Sequence, residues 1–99
     1  MTRRIILSPD VEADIKAVEL WYRRKAPSVG FRFRTELRLM LRLIAQFPYA
    51  FPVITGDVRR ALMKAFPYSL YFALKNDTVA VIALFHQHRR PTFDSTRDD

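Results

Sequence analysis

The chain has no cysteine and only two glycines among its 99 residues. The lack of cysteine excludes a disulfide framework, a thiolate metal site and a cysteine nucleophile. No apolar run approaches the ~20 residues that a membrane-spanning helix needs. The N-terminal segment MTRRIILSPD holds an apolar run of three residues, whereas a secretory signal needs about 7–15. We therefore expect a soluble, cytoplasmic protein that does not enter a membrane.

The chain is rich in positively charged and in hydrophobic residues. It has 17 Lys and Arg against 10 Asp and Glu, a net charge of +7, and 49% hydrophobic residues. That charge predicts attraction to nucleic acid, to acidic protein partners or, weakly, to anionic membranes. The length and apolar content predict one domain over residues 1–99 with its own core. Residues 91–99 form a polar C-terminal tail.

Two helices are predicted after a short first strand at Arg3–Leu7. Ser8-Pro9-Asp10 is typical of a helix start, since Ser caps the first amides and Pro fits the first helical position. The expected buried face of this helix is Val11, Ile15, Val18 and Tyr22, and Pro27 ends it. A second helix is predicted at Ser28–Phe47, ended by Pro48. Its expected buried face is Phe33, Leu37, Met40, Ile44 and Phe47.

The short break between the helices predicts an antiparallel hairpin. Along the second helix Arg34, Arg38 and Arg42 recur every four residues and form one ridge. This basic ridge has two interpretations. It is either a solvated helix face or the edge of a groove that receives an acidic partner.

The C-terminal third predicts three consecutive strands within Val58–Arg90. The first carries Arg59, Arg60 and Lys64, the second is Ser69–Leu74, and the third is Thr78–His88. Asn76-Asp77 is a hairpin turn signal between the last two. Tyr49–Thr55 is expected to be a connection. The order strand, helix, helix, strand, strand, strand predicts a two-layer α+β domain, β-α-α-β-β-β, in which the hairpin covers one face of an antiparallel meander.

The strands bring together groups suited to phosphate chemistry. His86 and His88 would share one strand face, as would Arg60 and Lys64, while Arg59 would point the other way. Metal-free RNA cleavage needs proton-transfer groups and cations at one phosphate. Imidazole supplies the first and guanidinium the second.

Each of these residues also has a structural alternative: a backbone-bonded His86, an exposed His88, and pairing of Arg59 or Arg60 with Asp57. His-x-His lacks an evident third ligand, so no metal is predicted.

Several segments in order resemble the RelE/ParE family of type II toxin–antitoxin toxins. They are SPDVEADI and the following WY, PSVGFRFRTEL at Pro27–Leu37, IAQFP, GDVRR at 56–60, FPY at 66–68 and LFHQHRRP at 84–91. The resemblance covers almost the whole chain. It implies a growth-inhibiting toxin in a hetero-oligomeric complex with a cognate antitoxin, which contributes a helix or an extended segment that lies across the toxin. The charge of +7 suits an antitoxin with an acidic segment. The basic ridge is a candidate for contacting that segment. No cofactor is predicted.

The resemblance leaves the cellular target open. RelE-like members cleave mRNA on the ribosome, which here would use His86, His88 and Lys64 in catalysis and Arg59, Arg60, Arg90 and Arg97 on the RNA phosphates. RelE-like sites often carry a tyrosine in the tail, and this tail, PTFDSTRDD, has none. ParE-like members instead poison DNA gyrase without being nucleases. An inactive antitoxin-binding module is the third alternative.

Overall fold

The computed structural model describes residues 2–87. The elements are β1 Arg4–Leu7, α1 Pro9–Lys25, α2 Pro27–Gln46, a 3₁₀ turn Pro48–Ala50, β2 Val53–Thr55, β3 Val58–Leu62, β4 Tyr68–Lys75 and β5 Thr78–His86. They form one sheet in the order β1-β5-β4-β3-β2, in which β1 pairs parallel to β5 and the other pairs are antiparallel. The predicted α+β fold is confirmed. The short strand β2 is an addition, since its residues were expected to be a connection.

Helix α1 begins as the sequence predicts. Ser8 Oγ accepts a hydrogen bond from the Val11 amide at 3.2 Å, and Pro9 occupies the first turn. Acidic residues lie in the first turn and basic residues in the last, which favours both ends of the helix dipole. Val11 and Ile15 are buried, and Val18 and Tyr22 pack against the core. The predicted face of this helix is confirmed.

The two helices are joined by one residue and approach closely. Ala26 caps the end of α1 and the start of α2, so Pro27 opens the second helix as well as closing the first. A Cβ placed on Gly30 would lie 2.9 Å from the Arg23 Cβ and 3.0 Å from its Cα. Glycine therefore permits this contact between the helices, because a larger residue would push the α1 backbone away.

The buried face of α2 is as predicted except at its end. Phe33, Leu37, Met40 and Ile44 are buried, whereas Phe47 is 58% exposed. The prediction for Phe47 was wrong because α2 ends at Gln46. Phe47 has φ −132° and ψ 58°, which are not helical angles, so its side chain leaves the helical face.

Both helices cover one face of the sheet, which we call the helix side; the opposite face is the helix-free side. In β4, Leu70 and Phe72 belong to the core beneath the helices, so Ser69, Tyr71 and Ala73 point to the helix-free side. A register shift at Tyr71/Phe72 interrupts the pairing of β4 with β5. Residues paired across antiparallel strands share a face, so the register assigns the other strands.

Two predicted strand ends need correction. Strand β3 ends at Leu62, and the amides of Lys64 and Ala65 donate to the Glu36 carboxylate of α2 instead of to a strand. Lys64 therefore does not share a strand face with Arg60. Strand β5 ends at His86, and Gln87 lies in a turn while its amide donates to the Pro67 carbonyl.

No helix within residues 2–87 is both long enough and apolar enough to cross a membrane.

We predict that Gly30→Ala lowers the free energy of unfolding by up to about 2 kcal/mol. Alanine favours a helix by about 1 kcal/mol over glycine, but overpacking at such a contact costs about 1–3 kcal/mol. Urea unfolding followed by circular dichroism measures the difference. Ser28→Ala, a change at an exposed position two residues earlier in the same helix, is the control. A Gly30→Ala protein that is about 1 kcal/mol more stable than the wild type, as helix propensity alone would make it, would contradict the close approach.

Candidate functional surfaces

Arg60 lies on the helix-free side of the sheet. It pairs with Tyr71 of β4, whose ring packs edge-on against Phe85 with the centroids 5.7 Å apart. The Arg60 Nε is buried and has no hydrogen-bond partner among the described residues, and the same holds for Ser69 Oγ nearby on β4. Arg60 therefore presents its charge in an aromatic, partly buried setting.

His86 lies on the helix side. It pairs with Tyr68, and the two rings meet edge-on with centroids 5.2 Å apart. The imidazole lines an open cleft of about 460 Å³ between α1 and the sheet. The cleft is lined by Ala17, Val18, Trp21, Tyr22, Pro67, Tyr68 and His86. Trp21 is 53% exposed at its rim, where Lys25 Nζ lies 4.7 Å from the ring centroid.

Tyr22, which lines this cleft, is protonated at neutral pH. Burial raises the pKa of Tyr22 above its usual value of 10.0, and the neighbouring Tyr68 raises it further. The Tyr22 side chain therefore acts there as a neutral phenol, a hydrogen-bond donor and apolar surface, and not as a base.

The predicted catalytic and phosphate-binding residues within residues 2–87 thus do not all lie on one face of the sheet. Arg60 and His86 lie on opposite sides of the sheet, and Lys64 lies beyond the end of β3, beside α2. His88, Arg90 and Arg97 lie outside the described residues. Within residues 2–87, no three His, Cys, Asp or Glu side chains converge as metal ligands would.

Arg59 points to the helix side, opposite to Arg60, as the sequence predicts. Its Nη1 donates to the Phe51 carbonyl at 2.7 Å, and its guanidinium carbon lies 5.1 Å from the centroid of the Tyr49 ring. The guanidinium carbon of Arg3 lies 5.7 Å from the same centroid. The sequence did not predict this cluster, because its residues come from three separate segments of the chain. The one feature of the sequence that pointed to it was the aromatic, proline-rich connection Tyr49–Thr55.

The basic ridge on α2 divides into two parts. Arg34 forms a salt bridge to Glu19 of α1 at 2.7 Å and so helps to hold the helix hairpin. Arg38 and Arg42 are exposed and form no salt bridge with the described residues. The free charge of the ridge is therefore concentrated toward the C-terminal half of α2.

On its other flank α2 carries a groove that the sequence reasoning missed. Its lining, which we call the α2 groove, is Glu36, Leu39, Met40, Leu43, Phe51, Leu62 and Lys64. Leu39, Leu43 and Leu62 are 52%, 49% and 54% exposed. Leu39 and Leu43 are four residues apart, outside the predicted core face. That second apolar stripe was the signal in the sequence.

The comparisons with known proteins identify one family and one similar fold. The family model described as "ParE toxin of type II toxin-antitoxin system, parDE" matches residues 5–91. A solved chain of the chromosomal ParDE system from P. aeruginosa superposes with a TM-score of 0.74 at 15% identity, over 86% of this chain and 96% of that one. At that identity the likeness shows the fold. No curated protein matches the sequence. Since the family match spans most of the chain, this protein belongs to the ParE toxin family of type II toxin–antitoxin systems.

Proposed function

We propose that this toxin arrests growth by occupying a surface of DNA gyrase, not by cleaving mRNA, and that an acidic antitoxin neutralises it. One observation carries the choice of occupancy over cleavage: Arg60 and His86, the phosphate-binding and proton-transfer candidates, lie on opposite sides of the sheet. The gyrase target itself follows from the ParE-like side of the resemblance.

The chemistry explains why that separation matters. A general acid or base acts within about 2.6–3.2 Å of the proton it transfers. A cation that stabilises the same phosphorane must reach the same phosphate. The backbone of the sheet lies between Arg60 and His86, so one phosphate does not contact both. Among the described residues, then, His86 does not have Arg60 as its partner in cleavage.

The exposed surface fits binding better than catalysis. Trp21 stands half exposed at the rim of the His86 cleft, and Leu20 is exposed beside it on α1. Exposed aromatic and apolar side chains next to a concave surface are typical of protein contacts, and tryptophan is frequent among the residues that contribute most to binding. A toxin that acts by occupancy needs such a surface.

Expression without antitoxin should stop DNA synthesis before it affects protein synthesis. Gyrase poisoning blocks replication directly, while translation continues on existing mRNA. Pulse labelling with thymidine and methionine within minutes of induction measures both rates. A purified translation reaction supplied with the toxin should show no cleaved mRNA. Prompt arrest of methionine incorporation, with mRNA cut only in the presence of ribosomes, would contradict the proposal and establish the RelE-like activity.

The variants His86→Gln, His88→Gln and the double variant should retain wild-type toxicity. In an occupancy mechanism no proton is transferred, whereas removing a general acid or base costs about 10²–10⁴-fold in rate. Growth curves after graded induction measure toxicity, and circular dichroism confirms that each variant is folded. Loss of toxicity in a folded His86→Gln or His88→Gln protein that still binds gyrase would count against the proposal.

Association with the antitoxin should slow when Arg38 and Arg42 are both replaced by Gln. Exposed charge steers an oppositely charged partner and acts mainly on the association rate. Stopped-flow fluorescence should show a several-fold slower rate at low salt. The difference should vanish at about 1 M salt, where the Debye length is ~3 Å.

The matched control is Arg4→Gln with Lys75→Gln, which removes two exposed charges elsewhere in the fold. If both double variants slow association equally, net charge steers the antitoxin and the basic ridge has no special part.

A further inference from the structure

The His86 cleft is walled by aromatic rings that come from three separate segments of the chain. Trp21 and Tyr22 belong to α1, Tyr68 to β4 and His86 to β5. Tyr22 lies edge-on to Trp21, with the ring centroids 5.1 Å apart, and Tyr68 lies edge-on to His86 at 5.2 Å. The volume of about 460 Å³ falls in the range of roughly 300–1,000 Å³ that small-molecule sites occupy. The cleft is therefore large enough for a small aromatic ligand.

The His86 cleft holds polar groups that the fold does not use. Within residues 2–87, the side-chain hydroxyls of Tyr22 and Tyr68 form no hydrogen bond. A phenol donates one hydrogen bond and also accepts, so it can bind a ring nitrogen, a carbonyl oxygen or an amino group of a ligand. The Tyr22 hydroxyl keeps its proton at neutral pH, because burial and the nearby Tyr68 raise its pKa. A few convergent polar groups on an aromatic wall are what orient a bound heterocycle.

The charge at the rim of the cleft is positive. Lys25 Nζ lies 4.7 Å from the centroid of the exposed Trp21 ring, and Lys25 forms no salt bridge with the described residues. Among the described residues that line the cleft, none is acidic. With its net charge of +7, the chain repels a cationic ligand and attracts a phosphate. An organic cation, which aromatic rings also bind, is therefore disfavoured.

We propose that the His86 cleft binds a mononucleotide. Its base would stack on Trp21, and the hydroxyls of Tyr22 and Tyr68 would meet the polar edge of the base. The phosphate would meet Lys25. Lysine binds phosphate as a point charge on a flexible stem, so its ammonium group can leave the ring for the phosphate. The inference goes beyond the proposed function and does not rest on it, because it concerns a small ligand and not the target of the toxin.

The single well-exposed ring favours one nucleotide over a strand of nucleic acid. Sites for single strands present successive aromatic platforms along a positively charged groove. Here Trp21 is 53% exposed, whereas Tyr22, Tyr68 and His86 are half-buried. Stacking on an aromatic ring tolerates every base, so the site should select nucleotides as a class.

The test uses the full chain and the fluorescence of Trp21, the one tryptophan in the sequence. AMP, GMP, CMP and UMP are the probes, and the signal is corrected for their absorbance. We expect saturable quenching by at least one of them, and a few-fold weaker binding of the matching nucleoside, which lacks the phosphate. That difference should shrink at about 1 M salt, where the Debye length is ~3 Å.

Calorimetry with the nucleotide that binds most tightly measures the variants. Trp21→Ala should raise Kd at least about fivefold, as the loss of a stacking ring does. Tyr68→Phe, which keeps the ring and removes the hydroxyl, should raise Kd roughly two- to tenfold. The matched control is Tyr49→Ala, because Tyr49 is 69% exposed and has cations near its ring but lies outside the cleft. The control should bind like the wild type, and circular dichroism confirms that each variant is folded.

Four results would overturn the inference. The absence of saturable quenching at millimolar nucleotide would show that the cleft binds none of them. An equal loss of affinity in Tyr49→Ala and Trp21→Ala would place the ligand elsewhere. Tetramethylammonium that binds more tightly than any nucleotide would make the cleft a cation site. An oligomer of about ten nucleotides that binds at least about tenfold more tightly than any mononucleotide would make it part of a strand-binding surface. Each of these results leaves the proposed function standing, because none of them measures toxicity or gyrase.

Discussion

The burial of Phe33 is the contact on which the arrangement of the molecule depends. Its fully buried ring packs against Tyr22 of α1, against Phe66 before β4 and against Tyr68 of β4, with ring centroids 5.6, 5.3 and 6.3 Å away. Both helices and the sheet therefore meet at one side chain. Because large aromatic rings bury more apolar area than other side chains, this cluster fixes which face of the sheet the helix hairpin covers.

Because the helices cover only one face of the sheet, the face on which a side chain lies decides which other side chains it can contact. In a strand, neighbouring residues face opposite sides, so Arg59 contacts Tyr49 on the helix side while Arg60 faces Tyr71 on the other. The same rule places His86 against Tyr68, within reach of α1 and away from Arg60. Groups that are all basic or titratable in sequence thus become parts of separate surfaces, and the occupancy mechanism that we propose rests on this separation.

The two flanks of α2 expose different chemistry. Arg38 and Arg42 are exposed on one flank, and in the binding that we propose their charge would affect how fast an acidic partner arrives. On the other flank Leu39 and Leu43 expose apolar surface. Arg34 differs from the other two arginines of the ridge, because its ion pair with Glu19 joins the two helices.

Local signals determined most of the fold. The Ser8 cap, the prolines that open both helices, the spacing of Val11 and Ile15, and the turn at Asn76 each act over a few residues, so the sequence alone predicts them. Tertiary contacts decided the rest. The Glu36 carboxylate accepts a hydrogen bond from the Lys64 amide, 28 residues away, just beyond the end of β3. Pairing with Tyr68 puts His86 on the helix side of the sheet. Such contacts join distant segments, so no local pattern reveals them, and they determine which groups share a surface.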